Sequence, residues 1–144
     1  MNALARSARR LSSPEWLAVF DTVAHLFFVF AALRLLPFRV GFRLLSRKTA
    51  AQLTGAVDAS RLAAIVDAIM AVFRAPCLVR ALVLQRLLAG RGYGSSLVVG
   101  ASLTCTQFKA HAWLERAGRT VIGSCPDTYV PLVRFSSDLE RRAA

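Results

Sequence analysis

The chain has 144 residues, 19 Lys+Arg against 8 Asp+Glu, a formal net charge of +11 and 56% hydrophobic side chains. That apolar content excludes a disordered chain, the length fits one ordinary domain, and three cysteines in so apolar a chain exclude a disulfide scaffold. The charge points to an acidic partner (nucleic acid, an anionic membrane surface or an acidic peptide), and composition alone does not choose among them.

Residues 1–12 are polar and basic. Ser13-Pro14-Glu15 then reads as a helix start, with Ser13 as N-cap, Pro14 at the first helical position and Glu15 in the first turn. The helix is predicted to run to about Leu36, where Pro37 stops it. Trp16 to Val40 is the most apolar stretch, but its charge-free part, Thr22 to Leu33, is only 12 residues long and contains His25. A spanning helix needs about 20 apolar residues, so a buried or interfacial helix is the reading. Arg9-Arg10 ahead of an apolar run resembles a signal peptide in outline, yet no small-residue cleavage site follows. The chain is therefore expected to be cytoplasmic, in keeping with its odd cysteine count. Residues 38–47 read as a second, short helix with Arg39, Arg43 and Arg47 along one side.

Residues 49–58 form a connection broken by Gly55, and Ser60 to Phe73 carries apolar residues at helical spacing. Pro76 opens another helix, Cys77 to about Ala89, ended at Gly90-Arg91-Gly92. The character then changes. Ser96–Ser102, Ala110–Glu115, Arg119–Ile122 and Tyr129–Phe135 read as strands, the middle two joined in a hairpin at Ala117-Gly118. Helices first and strands after predict an α+β fold, an antiparallel sheet packed on helices.

The basic residues are nearly all arginine, with no run of five or six like charges, which is a weak signature for nucleic acid. Residues 1–48 hold eight basic and two acidic side chains, more than half of the net charge. That segment is expected to be a helical docking segment, with 49–144 as the core. Its occupant is an acidic peptide, a partner protein or, through residues 16–47, a peripheral membrane contact.

Cys77 is the sharpest chemical feature. It follows a proline at the start of an apolar helix, where unsatisfied N–H groups and the helix dipole stabilise a thiolate and can face an oxyanion. A buried, inert cysteine is the bland alternative. His111 lies on a strand 34 residues later and supplies the base that cysteine chemistry needs. Alternation places His111, Trp113 and Glu115 on one face, with Glu115 farther from His111 along the strand than a hydrogen bond reaches. Trp113 and Arg80 are the candidate substrate-contacting side chains, and His25 reads as a satisfied core or interface residue. Cys77, Cys105, His111 and Cys125 match no compact metal-ligand spacing, so neither a metal nor another cofactor is expected.

Cys77-Leu78-Val79-Arg80-Ala81-Leu82-Val83-Leu84-Gln85-Arg86-Leu87-Leu88, then Arg91-Gly92, Leu97-Val98-Val99-Gly100, Ala110-His111-Ala112-Trp113-Leu114-Glu115 and Gly118-Arg119 resemble the lasso peptide leader peptidases. Leu35-Leu36-Pro37-Phe38-Arg39 is similar to that family's leading segment. The resemblance implies a transglutaminase-like, papain-like cysteine protease core, its nucleophile helix packed on a small antiparallel sheet. It implies Cys77 as nucleophile and His111 as base. The implied reaction is hydrolysis of one peptide bond between leader and core of a ribosomally made precursor peptide, after a leader whose penultimate residue is usually threonine. Implied partners are a separate leader-recognition protein, for which 144 residues leave no room, and an ATP-dependent, asparagine-synthetase-like cyclase. Many relatives carry an Asn-Asp pair where this chain has Ile122-Gly123, the Asp being the third member of a Cys-His-Asp triad. Asp127, the nearest carboxylate downstream, is the expected substitute, with a backbone carbonyl or no residue at all as alternatives. A non-catalytic or weakly active precursor-binding subunit is the second functional reading.

Overall fold

The structure is a computed structural model that describes residues 12–37, 40, 57–104, 107–123 and 129–137. Among the described residues three helices lead into four strands: α1 (Ser13–Leu35), α2 (Ala59–Val72), α3 (Cys77–Gly90), β1 (Ser96–Thr104), β2 (Gln107–Arg116), β3 (Arg119–Ile122) and β4 (Val130–Ser136). This is the α+β arrangement that the sequence predicts. The short helix expected over 38–47 lies outside the described residues, apart from Val40.

α1 begins one residue earlier than its sequence suggests, because Ser12 rather than Ser13 is the N-cap. Glu15 then falls at the third helical position. Its carboxylate reaches back to accept from the Ser12 N–H at 2.8 Å and the Ser12 hydroxyl at 2.9 Å. Arg61 on α2 donates to the same carboxylate at 2.6 Å, fastening the start of α1 to α2. The Ser12 N–H, then Arg61, hold the Glu15 carboxyl down at about 2 from its ordinary 4.5. A depressed carboxyl pKa stabilises the fold above the unfolded value and loses that contribution as pH falls through the folded one. Melting temperature is therefore expected to fall as pH drops from about 4.5 towards 2, and less steeply in Glu15→Gln. Thermal unfolding followed by circular dichroism across that window checks it.

Further along α1, Asp21 pairs at 3.4 Å with Arg91, whose side chain is 5% exposed and also donates to the Leu87 carbonyl. α1 buries the stripe Ala18, Thr22, Leu26, Val29 and Ala32, which packs on α2 and α3. By length and composition α1 is also apolar enough to cross a membrane.

α3 is the centre of the molecule, touched by α1, α2, β1 and β2. A helix covered on all sides needs apolar residues all round rather than one stripe. Val79, Ala81 to Leu84, Leu87 and Leu88 are accordingly buried. Gln85, buried among them, donates to the Phe135 carbonyl at 3.1 Å and ties α3 to the end of β4.

The sheet runs β3-β2-β1-β4, all neighbours antiparallel. Ala112 and Leu114 on β2 enter the core with Leu97 and Ile122, which leaves His111, Trp113 and Glu115 on the opposite face. β3 pairs only with Leu114 to Arg116. His111 therefore lies beyond the end of β3, at an open edge of β2, where the chain leaving β3 passes as Gly123.

Candidate active site

An open cleft of about 760 Å³ runs between the α2–α3 corner and the β3 edge. Ser60, Ala63, Ala64 and Asp67 of α2 form one wall, Ala75, Cys77 and Arg80 another, and His111 with Thr120 to Gly123 the third. Cys77 and His111, 34 residues apart in sequence, thus share one depression.

Cys77 is the first residue of α3, with Pro76 as N-cap. The turn before it is held by the Ala75 N–H on the Met70 carbonyl at 3.0 Å, and by the Arg80 N–H on the Pro76 carbonyl at 3.1 Å. Cys77 is a free, half-buried thiol. Arg80, one turn on, donates to the Ala75 carbonyl at 2.8 Å and the Met70 carbonyl at 3.5 Å, and pairs with Asp67 at 3.4 Å. Nothing in the local sequence marks this role. Arg80 satisfies carbonyls at the end of α2 and braces the corner that presents Cys77.

The His111 Nε2 lies 2.5 Å from the Gly123 carbonyl oxygen. A carbonyl can only accept, so Nε2 is the donor, and the neutral ring carries its lone pair at Nδ1. Gly123 is shaped for this contact. Its φ of +82° is the left-handed region. A Cβ there would stand 2.9 Å from the Ala112 carbonyl oxygen and 3.1 Å from Trp113 Cα and Cβ. Only a residue without a side chain brings its carbonyl this close to β2.

Trp113 stands outside the cleft wall and packs behind His111, the ring centroids 6.1 Å apart and stacked. The indole also presses on Gly100, where a Cβ would meet the ring at 2.7 Å. Its N–H donates to Glu115 at 2.7 Å, and Arg134 on β4 donates to the other oxygen of that carboxylate at 2.6 Å. Burial pushes the Glu115 carboxyl up, but the Trp113 and Arg134 hydrogen bonds prevail and leave it below its ordinary value. Glu115 shares the face of His111 as alternation predicts, yet its oxygens are engaged by Trp113 and Arg134. Tyr129 closes on His111 from another side, with ring centroids 5.3 Å apart. The sequence held no sign of that contact, which depends on β4 pairing with β1.

Asp127, Cys105 and Cys125 lie outside the described residues. Among the described residues no group of three or more His, Cys, Asp or Glu gathers as a metal centre. His25 donates from Nδ1 to the Asp21 carbonyl at 2.8 Å, one turn back on α1. It is a satisfied helix residue, as its sequence position suggests.

A family model described as the transglutaminase-like superfamily matches residues 23–134. The chain belongs to this superfamily. No match was found among curated proteins or among solved structures. The transglutaminase-like match spans most of α1, all of α2 and α3, and the sheet through Arg134, so it contains every residue that lines the cleft. A transglutaminase-like domain is compatible with a cysteine peptidase fold.

Proposed function

We propose that this protein is a cytoplasmic cysteine peptidase that removes the leader from a ribosomally made lasso peptide precursor. The observation that carries the reading is the shared cleft: Cys77 at the first position of α3 opposite His111, whose Nε2 is tied to the Gly123 carbonyl. The resemblance of the segments around Cys77 and His111 to the leader peptidases supports the choice of substrate.

The proposed chemistry is acyl transfer through a thioester. Nδ1 of His111 accepts the Cys77 proton, and the thiolate attacks the carbonyl carbon of the last leader residue. Amide N–H groups in the first turn of α3 stabilise the oxyanion. The proton passes to the departing core amine, leaving the leader as a thioester on Cys77. Water then hydrolyses the thioester, with His111 again as base. The Gly123 carbonyl orients the ring and fixes its tautomer, the task a carboxylate performs in a triad. Lacking a full negative charge, it stabilises the imidazolium less than a carboxylate does. Arg80 and Asp67, on the cleft wall, contact the bound peptide, and Trp113 holds the His111 ring from behind.

A separate leader-recognition protein delivers the precursor, and an asparagine-synthetase-like cyclase takes the freed core amine. One observation favours a second reading, a weakly active or non-catalytic precursor-binding subunit: glycine stands at position 123, where the resemblance to the leader peptidases implies aspartate. Mass spectrometry of a cognate precursor incubated with its recognition protein and this chain separates the two. A single cut between leader and core is expected. Intact precursor, bound but never cut, is the outcome of the second reading and sinks the first.

A further inference from the structure

α1 has two apolar sides, and the described residues cover only one of them. Opposite the buried stripe, residues three and four apart expose Trp16, Leu17, Phe20, Phe27, Phe28 and Phe30. Leu17, Phe20 and Phe27 are 66%, 67% and 64% exposed. From Trp16 to Leu35 the only polar side chain among the exposed positions is Arg34. A helix that is apolar all round is stable when something covers it all round, and an exposed patch of this kind marks an interaction site.

Three observations select the cover. A protein partner meets a polar rim with about ten hydrogen bonds, and this face offers one polar side chain for it. A second copy would bring two chains of net charge +11 together. A bilayer asks for no hydrogen bonds, and the sequence supplies cations at both ends of the helix. Arg6, Arg9 and Arg10 precede it, and Arg34, Arg39, Arg43, Arg47 and Lys48 end or follow it. Basic residues beside an apolar face match anionic headgroups. Nor does α1 cross the bilayer. Its inner stripe is packed on α2 and α3, and the Glu15–Arg61 and Asp21–Arg91 pairs bind it to the domain.

We propose that the outer face of α1 docks the folded domain on an anionic lipid surface, lying in the headgroup–acyl boundary without spanning it. This does not depend on the peptidase reading.

The test is flotation of the full chain with phosphatidylcholine vesicles containing about one-third phosphatidylglycerol. The chain is expected to float, to be released by alkaline carbonate, and to partition more weakly into pure phosphatidylcholine or in about 0.5 M salt. Phe20→Glu combined with Phe27→Glu is expected to weaken partitioning about tenfold or more. Both positions are exposed, so its circular dichroism should match the parent. Arg34→Gln, which keeps the apolar face, is expected to weaken partitioning into the anionic vesicles about fivefold. The proposal fails if the chain does not float, or if it resists carbonate as a spanning helix does. It fails equally if neither variant nor salt changes the partition, or if sedimentation shows a dimer that ignores vesicles and dissolves in the double variant.

Discussion

Replacing Cys77 by alanine is expected to lower precursor cleavage at least about a thousandfold while leaving the fold intact. Without the sulfur there is no thiolate to attack and no thioester to carry the leader, so the loss falls on the chemical step and not on binding. Structure should survive because the side chain is only half-buried and alanine serves well at a first helical position. The helix start is held by backbone hydrogen bonds and by Arg80, none of which involves sulfur. The measurement is the cleavage rate by mass spectrometry, set beside melting temperature and precursor affinity. Cys105→Ala and Cys125→Ala are expected to cleave at the parent rate.

Gly123→Ala is the second large effect, although no side chain is removed. Alanine at φ +82° carries a backbone cost of about 1–3 kcal/mol. The new methyl must also stand against the Ala112 carbonyl oxygen and the Trp113 Cα and Cβ, which are atoms fixed in the strand. The Gly123 carbonyl therefore moves away from His111. Melting temperature is expected to drop by about 2–10 °C, and the cleavage rate about 10–100-fold, the order that a small misplacement of a catalytic group costs. Nitrogen-15 NMR of the His111 ring separates positioning from simple destabilisation. A freed imidazole loses its preferred tautomer, so the two ring-nitrogen shifts should move towards a mixture of the Nδ1–H and Nε2–H forms in Gly123→Ala. Unchanged ring-nitrogen shifts would mean that Gly123 serves the fold alone.

Much of this was legible in the sequence, for reasons that can be named. Proline fixes a helix start, so Ala75-Pro76 placed Cys77 at the first position of α3. The hairpin of β2 and β3 followed from Ala117-Gly118, and β3 has the predicted limits, Arg119–Ile122. Alternation put His111, Trp113 and Glu115 together because a strand has period two. Contacts that join distant elements were not legible. Arg61 on Glu15, Arg134 on Glu115 and Tyr129 beside His111 all depend on how the elements pack, which local patterns do not encode. The Gly123 carbonyl is the instructive case. A backbone carbonyl stands among the sequence's alternatives for the third site residue, but packing decides which residue supplies it, and here that residue is informative because it has no side chain. Its signal is a glycine placed directly after an edge strand, where the missing Cβ lets the backbone close on its neighbour.

The central claim is that Cys77 carries the leader as a thioester. It is tested most directly by intact-protein mass spectrometry of a reaction with cognate precursor and recognition protein, quenched in acid during turnover. The predicted result is a mass increase equal to the leader acyl group, mapped to Cys77 and absent from Cys77→Ala. A precursor that is cut while that mass maps to another residue, or cut equally well by Cys77→Ala, would contradict the account.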